Sequence, residues 1–204
     1  MDLVHAKLLM SKIARYHAAS VILHSQDNTV FNKFNKGMFN RKVTTFNPYY
    51  EAYLAAAIDQ ISQWGTEYDK YVKKLIKLQK VFTEKATALF DLNENHFHVP
   101  NHGDLWTNNT MFLYKDEQPI YVLMADFQLS SWNSPVFDLI YFFNTSLHED
   151  IRETAQDELI QVYHENLEET LRKLNYRGKI ITLAELELQF MEKQLFGSVY
   201  ELFD

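Results

Sequence analysis

HVPNHGDLWTNNTMFLYKDEQPIYVLMADFQ, residues 98–128, is the stretch on which the reading of this chain turns. TMFLY (110–114) and IYVLMADF (120–127) are short runs rich in β-branched and aromatic residues, and KDEQP (115–119) supplies a turn between them. That pattern predicts a hairpin, with Met111, Phe112 and Leu113 as core. Asn109 follows Asp104 by 109 − 104 = 5 positions, and Asp126 by 126 − 104 = 22. A tight loop before the first strand can present Asp104 and Asn109 on one rim, and the hairpin returns Asp126 to that rim. Two carboxylates and an amide oxygen are hard ligands that suit Mg²⁺, which keeps positions for water and phosphate oxygens. Phosphoryl transfer needs such a layout: a base for the acceptor hydroxyl and oxygens for the metal on the nucleotide.

Each residue has a duller reading. Asp and Asn in loops commonly bond their own backbone. His102 reads as a satisfied loop histidine, Asp138 as a helix cap and Trp106 as packing. A hydrolytic metal site is a rival. His96 and His98 would share one face of a strand, with His102, Asp104 and Asp126 nearby. No Asp-x-His occurs early in the chain, and Thr107 stands where a second Asp would be needed.

Working outward, residues 3–23 repeat apolar positions at helical spacing. His24–Pro48 reads as a long irregular loop around Gly37. Pro48 suits the first turn of a helix running to about Trp64, closed by Gly65. A third helix is expected over 67–90, with Tyr71, Leu75, Leu78, Val81, Phe82 and Leu89 inward and a solvated lysine face outward. Helix resumes near Phe137, runs long over 150–175, and starts again at Thr182, which forms a capping box with Glu185. Five or six helices around one hairpin make an α+β, mostly helical domain.

The chain has 204 residues, of which 47% are apolar, enough to bury one sizeable core. Its net charge of −7 offers no basic face for nucleic acid. With no cysteine, disulfides and thiolate zinc sites are excluded. No apolar run approaches the roughly 20 residues that span a bilayer, so no membrane association and a cytoplasmic setting are expected.

HGDLWTNN (102–109) resembles a kinase catalytic loop, with Gly103 where protein kinases carry arginine. ADFQ (125–128) resembles the metal-binding element, with Gln128 in place of glycine. Together with SSWNSPVFDLIYFF (130–143), the pattern is similar to the ecdysteroid-kinase-like (CHK-kinase-like) family, related to choline kinases and aminoglycoside phosphotransferases. The resemblance implies a protein-kinase-like C-terminal lobe whose small hairpin carries the catalytic and metal-binding loops. It implies Asp104 as catalytic base, Asn109 and Asp126 as Mg²⁺ ligands, and ATP as co-substrate. His102, Asp138 and Phe127 would support the loop. The acceptor would be a hydroxylated small molecule, an ecdysteroid by family. The five glycines, at 37, 65, 103, 178 and 197, form no glycine-rich loop. Residues 1–204 are therefore expected to be the C-terminal lobe alone, without an N-terminal lobe and cut within a helix at the end. Self-association through an uncovered face is expected, and a non-catalytic, partner-binding remnant stands as the alternative to the enzyme.

Overall fold

The structure, a computed structural model, describes residues 1–34, 37–41 and 47–200. Part of the expected 24–48 loop and residues 201–204 lie outside them. Eight helices and four short strands are described. The first helix, α1 (Leu3–Gln26), is capped by the Asp2 side chain, which accepts from the His5 N–H at 3.0 Å. Ala6, Ala14 and Ala18 are fully buried beside Leu9, Met10 and Ile13, and small residues let the backbones come close. The partner is α7 (Gln156–Lys173), which buries Leu159, Ile160, Tyr163, Leu167 and Leu171 at helical spacing. Each large apolar side chain so buried contributes about 1.5–3 kcal/mol.

Between them in sequence, α5 (Val136–Ser146) is buried almost all round. A helix apolar on every face belongs at the centre of a fold, and α8 (Leu183–Tyr200) packs along it. The capping box forms: Thr182 Oγ1 accepts from the Glu185 N–H at 3.2 Å, and Glu185 Oε2 accepts from the Thr182 N–H at 2.9 Å.

Two expected helices are each divided. The 67–90 helix is a single 3-10 turn (Thr66–Tyr68), α3 (Asp69–Gln79) and α4 (Phe82–Leu89). No Gly or Pro marks the break. Phe82 is drawn into the core against Phe39 and Tyr50, and that packing overrides the helical pattern. Consequently α3 has no fully buried residue: Leu75 and Leu78 pack half-buried against the core, and Tyr71 and Val81 are exposed. Likewise α6 (Glu149–Thr154) and α7 meet at Ala155, whose φ of −124° breaks the helix. The second helix, α2 (Asn47–Ser62), takes Pro48 in its first turn as expected.

The hairpin pairs β2 (Thr110–Lys115) with β3 (Gln118–Met124). Its loop is two residues, Asp116 (φ 49°) and Glu117 (φ 63°). Positive φ at both central positions matches the twist of the flanking strands. Pro119 sits in β3 at a register shift opposite Tyr114. Met111 and Leu113 are not core: they are 56% and 58% exposed, and with Leu123 they form an apolar outer face. The period-2 alternation that buries Val122 turns them outward.

The sequence reading missed a second sheet, β1 (Val99–Asn101) antiparallel to β4 (Ser131–Asn133). β1 carries the chain into the 102–109 loop and β4 follows the 125–128 segment, so this sheet anchors both. Among the described residues no helix is long and apolar enough to cross a membrane.

Candidate active site

Asp104 sits three residues past β1, partly buried. Its Oδ1 accepts the Tyr141 hydroxyl at 2.7 Å and its Oδ2 accepts the Asn109 side-chain N–H at 2.9 Å. The same Asn109 nitrogen donates to the Asp104 carbonyl at 2.9 Å. The amide therefore staples the loop closed and leaves its oxygen to face other atoms. Tyr50, on α2, lies close enough to feel Asp104: burial, and then that carboxylate's charge, push its phenol up to about 12.

Asp126 arrives by way of Ala125. The Ala125 N–H donates to the Asn109 carbonyl at 2.9 Å, and its own carbonyl accepts from His102 Nε2 at 2.8 Å. One residue thus clamps the metal-type segment to both ends of the catalytic-type loop. Asp126 itself has φ 65°, a left-handed backbone uncommon outside glycine and asparagine. It is exposed, and its Oδ2 accepts from the Gln128 amide at 3.2 Å. Phe127 lies against the His102 ring at 4.4 Å and the Tyr16 ring at 5.6 Å.

Asp138 does not cap α5, whose first residue follows Pro135. It is fully buried and reaches the loop instead. Oδ2 accepts the His102 N–H at 2.7 Å and Oδ1 accepts the Gly103 N–H at 2.9 Å. Charge-assisted bonds of this kind are about twice as strong as neutral ones. Behind Asp138 stands His17 of α1, with Nε2 at 3.2 Å, and behind that the Tyr163 hydroxyl of α7, 2.8 Å from Nδ1. Burial lowers the His17 imidazole and raises the Tyr163 phenol. A neutral ring donating to Asp138 and accepting from Tyr163 satisfies all three groups. Gly103 has φ +83°, and a Cβ there would lie 2.2 Å from the Leu129 carbonyl oxygen. No L side chain fits that place.

Of the residues singled out in the sequence, the structure links Asp104, Asn109, His102 and Asp138 by hydrogen bonds, while Asp126 joins them through the backbone of Ala125 and its own carboxylate meets Gln128. Sequence reasoning missed Tyr141, His17, Tyr163 and Tyr50. Tyr141 follows Asp138 by three positions, one helical turn, so a helical projection of 136–146 would have put both on the loop side. His96 and His98 are not on a strand, which begins at Val99, and His96 instead faces Glu192 at 3.5 Å.

The donor set tests the fit of a metal. Among the described residues no group of three or more His, Cys, Asp or Glu could hold one. Asp126 and the Asn109 oxygen are two hard ligands, too few for a protein cage. They fit a cation that takes its remaining oxygens from water and phosphates.

A catalytic-type loop entered from β1, a metal-type segment at the end of a hairpin, and a buried carboxylate tying the loop to a central helix define a protein of kinase-like fold. A model of the ecdysteroid kinase-like family matches residues 1–176, and the chain belongs to that family. Among solved structures it is similar to choline kinase from Cryptosporidium parvum Iowa II, with a TM-score of 0.51 and 13% identity. The match covers 98% of this chain and 57% of that one, so this chain spans little more than half its length. At that identity the likeness is one of fold. No curated protein matches the sequence.

Proposed function

We propose that the chain is the acceptor- and metal-side lobe of an ATP-dependent phosphotransferase acting on the hydroxyl of a small molecule. Ecdysteroids are the acceptor class suggested by the family's description. The observation that carries this reading is the paired hold on Asp104, by Tyr141 and Asn109, beside an Asp126 fixed through Ala125. In it, Asp104 accepts the proton of the acceptor hydroxyl as that oxygen attacks the γ-phosphorus, and ADP leaves with the electrons of the broken P–O bond. Asn109 and Asp126 hold Mg²⁺. When bound, the cation neutralises phosphate charge. His102, Asp138 and Phe127 keep the loop in register.

The outer face of the hairpin, Met111, Leu113 and Leu123, serves in this reading as the floor for the purine and for a phosphate-covering lobe. Residues 1–204 contain no glycine-rich loop, so that lobe is not among them. A cytoplasmic setting, where ATP is at hand, goes with this reading, and nucleic acid and membrane are not partners in it. The same uncovered face favours a second reading, a non-catalytic module that binds a partner or self-associates.

The test is phosphotransfer to a panel of hydroxylated steroids and small alcohols by the protein with its covering lobe present. Asp104→Asn should lower kcat by about 10²–10⁴ with nucleotide binding little changed. Weakened nucleotide binding with kcat preserved would overturn the role of Asp104.

A further inference from the structure

At the far end of β1 from the catalytic-type loop lies a cavity of about 530 Å³, between the end of α1, residues 94–98, β4 and α8. One wall is aromatic. Trp132 lies flat against His24, with centroids 4.3 Å apart and planes 25° apart, and Phe97 lines the same space. The other wall is acidic. Of its three carboxylates, Glu185 is engaged by Lys179 and by the Thr182 cap. Lys179 is the one lysine lining the cavity, and it is thereby committed. Among the described residues Glu94 forms no ion pair, and Glu192 lies 3.5 Å from the His96 ring and within the field of Lys193. Burial lowers that imidazole, so what offsets the Glu192 charge is Lys193, whose amine is held by the Leu89 carbonyl.

His98 adds a third feature. Its Nε2 is buried and meets no partner, although buried polar atoms are nearly always hydrogen-bonded. Burial first, then His96, pushes the ring down to about 4. At neutral pH it is therefore an uncharged group whose ring still lacks one partner. The cavity combines a flat aromatic wall, Glu94 and Glu192 with no lysine or arginine in ion-pair contact among the described residues, and a histidine short of a partner. A rigid ring with a positively charged, N–H-donating tail answers all three, through stacking, charge-assisted bonds and cation–π attraction.

We infer that this cavity is a second ligand site, for a small aromatic or arylalkyl ammonium ion held between Trp132 and Glu192. Its occupant is not the phosphoryl acceptor, because β1 separates it from Asp104. The strand that walls the cavity runs directly into the loop bearing Asp104.

The test is calorimetric titration of the purified 204-residue chain with phenethylamine, with phenethyl alcohol and hydrocinnamate as neutral and anionic matches of its shape. It does not depend on phosphotransfer, so it stands or falls apart from the activity proposed above. The amine should bind in preference to both matches. Glu192→Gln, a change on the exposed side of α8, should weaken it about tenfold, the scale of one lost charge-assisted contact. Asp104→Asn should leave it unchanged. Equal binding of the alcohol, no effect of Glu192→Gln, sensitivity to Asp104→Asn, or no binding of the amine would each overturn the assignment.

Discussion

Both oxygens of the Asp104 carboxylate are occupied, one by Tyr141 and one by Asn109, so its orientation depends on two groups rather than on its own rotamer. Tyr141→Phe removes one hold and keeps the ring's packing. In the proposed reaction it should lower kcat about tenfold, the scale of one lost hydrogen bond to a charged group, with KM for the acceptor little moved. Steady-state kinetics of that variant beside Asp104→Asn would check it. Asp126→Asn keeps the shape and removes the charge. It should weaken Mg²⁺–nucleotide binding in calorimetry, and unchanged affinity would remove Asp126 from the metal site. The Asp104–Asn109 pairing and the hairpin that leads to Asp126 were legible because they lie in a local pattern: a loop, a strand and a returning strand within one stretch. His17 was not. It reads as one more polar residue on α1, and its partner Asp138 lies 121 residues away; no local rule reports a bond across that separation.

At the level of elements, the short β1–β4 pair positions more than the longer hairpin does. It fixes the segments on either side of it, and Gly103 is the point where they touch. Gly103→Ala sets a Cβ against the Leu129 carbonyl and holds a left-handed backbone without glycine. It should cost about 1–3 kcal/mol or more, seen as a lower Tm, and should pull the loop off Asp138. Three-residue strands, 30 positions apart at Asn101 and Ser131, leave no periodic signature, so this sheet was missed. The two helix breaks were missed for another reason. Phe82 and Ala155 are drawn inward by tertiary packing, which outweighs propensity. The capping box at Thr182 was legible because its cause lies within four residues. Thr182→Ala should lower stability by about 1 kcal/mol, measurable by denaturant unfolding.

For the molecule as a whole, buried imidazoles set an acid limit. His98 is held down to about 4 against an ordinary 6.5, and His17 and His96 are lowered in the same direction. Between those values the unfolded chain takes up protons that the native chain refuses. Stability therefore rises with pH through that window and is lost as pH falls through it. The Tm should drop on acidification from about 6.5 to about 4, and His98→Gln should flatten that slope. In the proposed reaction, residues 1–204 alone should show no turnover above the Asp104→Asn background, because they contain no glycine-rich loop to cover the phosphates. They should also self-associate through Met111, Leu113 and Leu123, with Leu113→Lys restoring the monomer in sedimentation. Among the described residues, the Asp138 carboxylate grips the catalytic-type loop by main-chain N–H groups alone, those of His102 and Gly103. A grip on the backbone does not distinguish the side chains beyond it. In the proposed reaction, substitutions at the exposed Thr107 and Asn108 can thus change what the loop presents to an acceptor while the frame that aims the base stays intact.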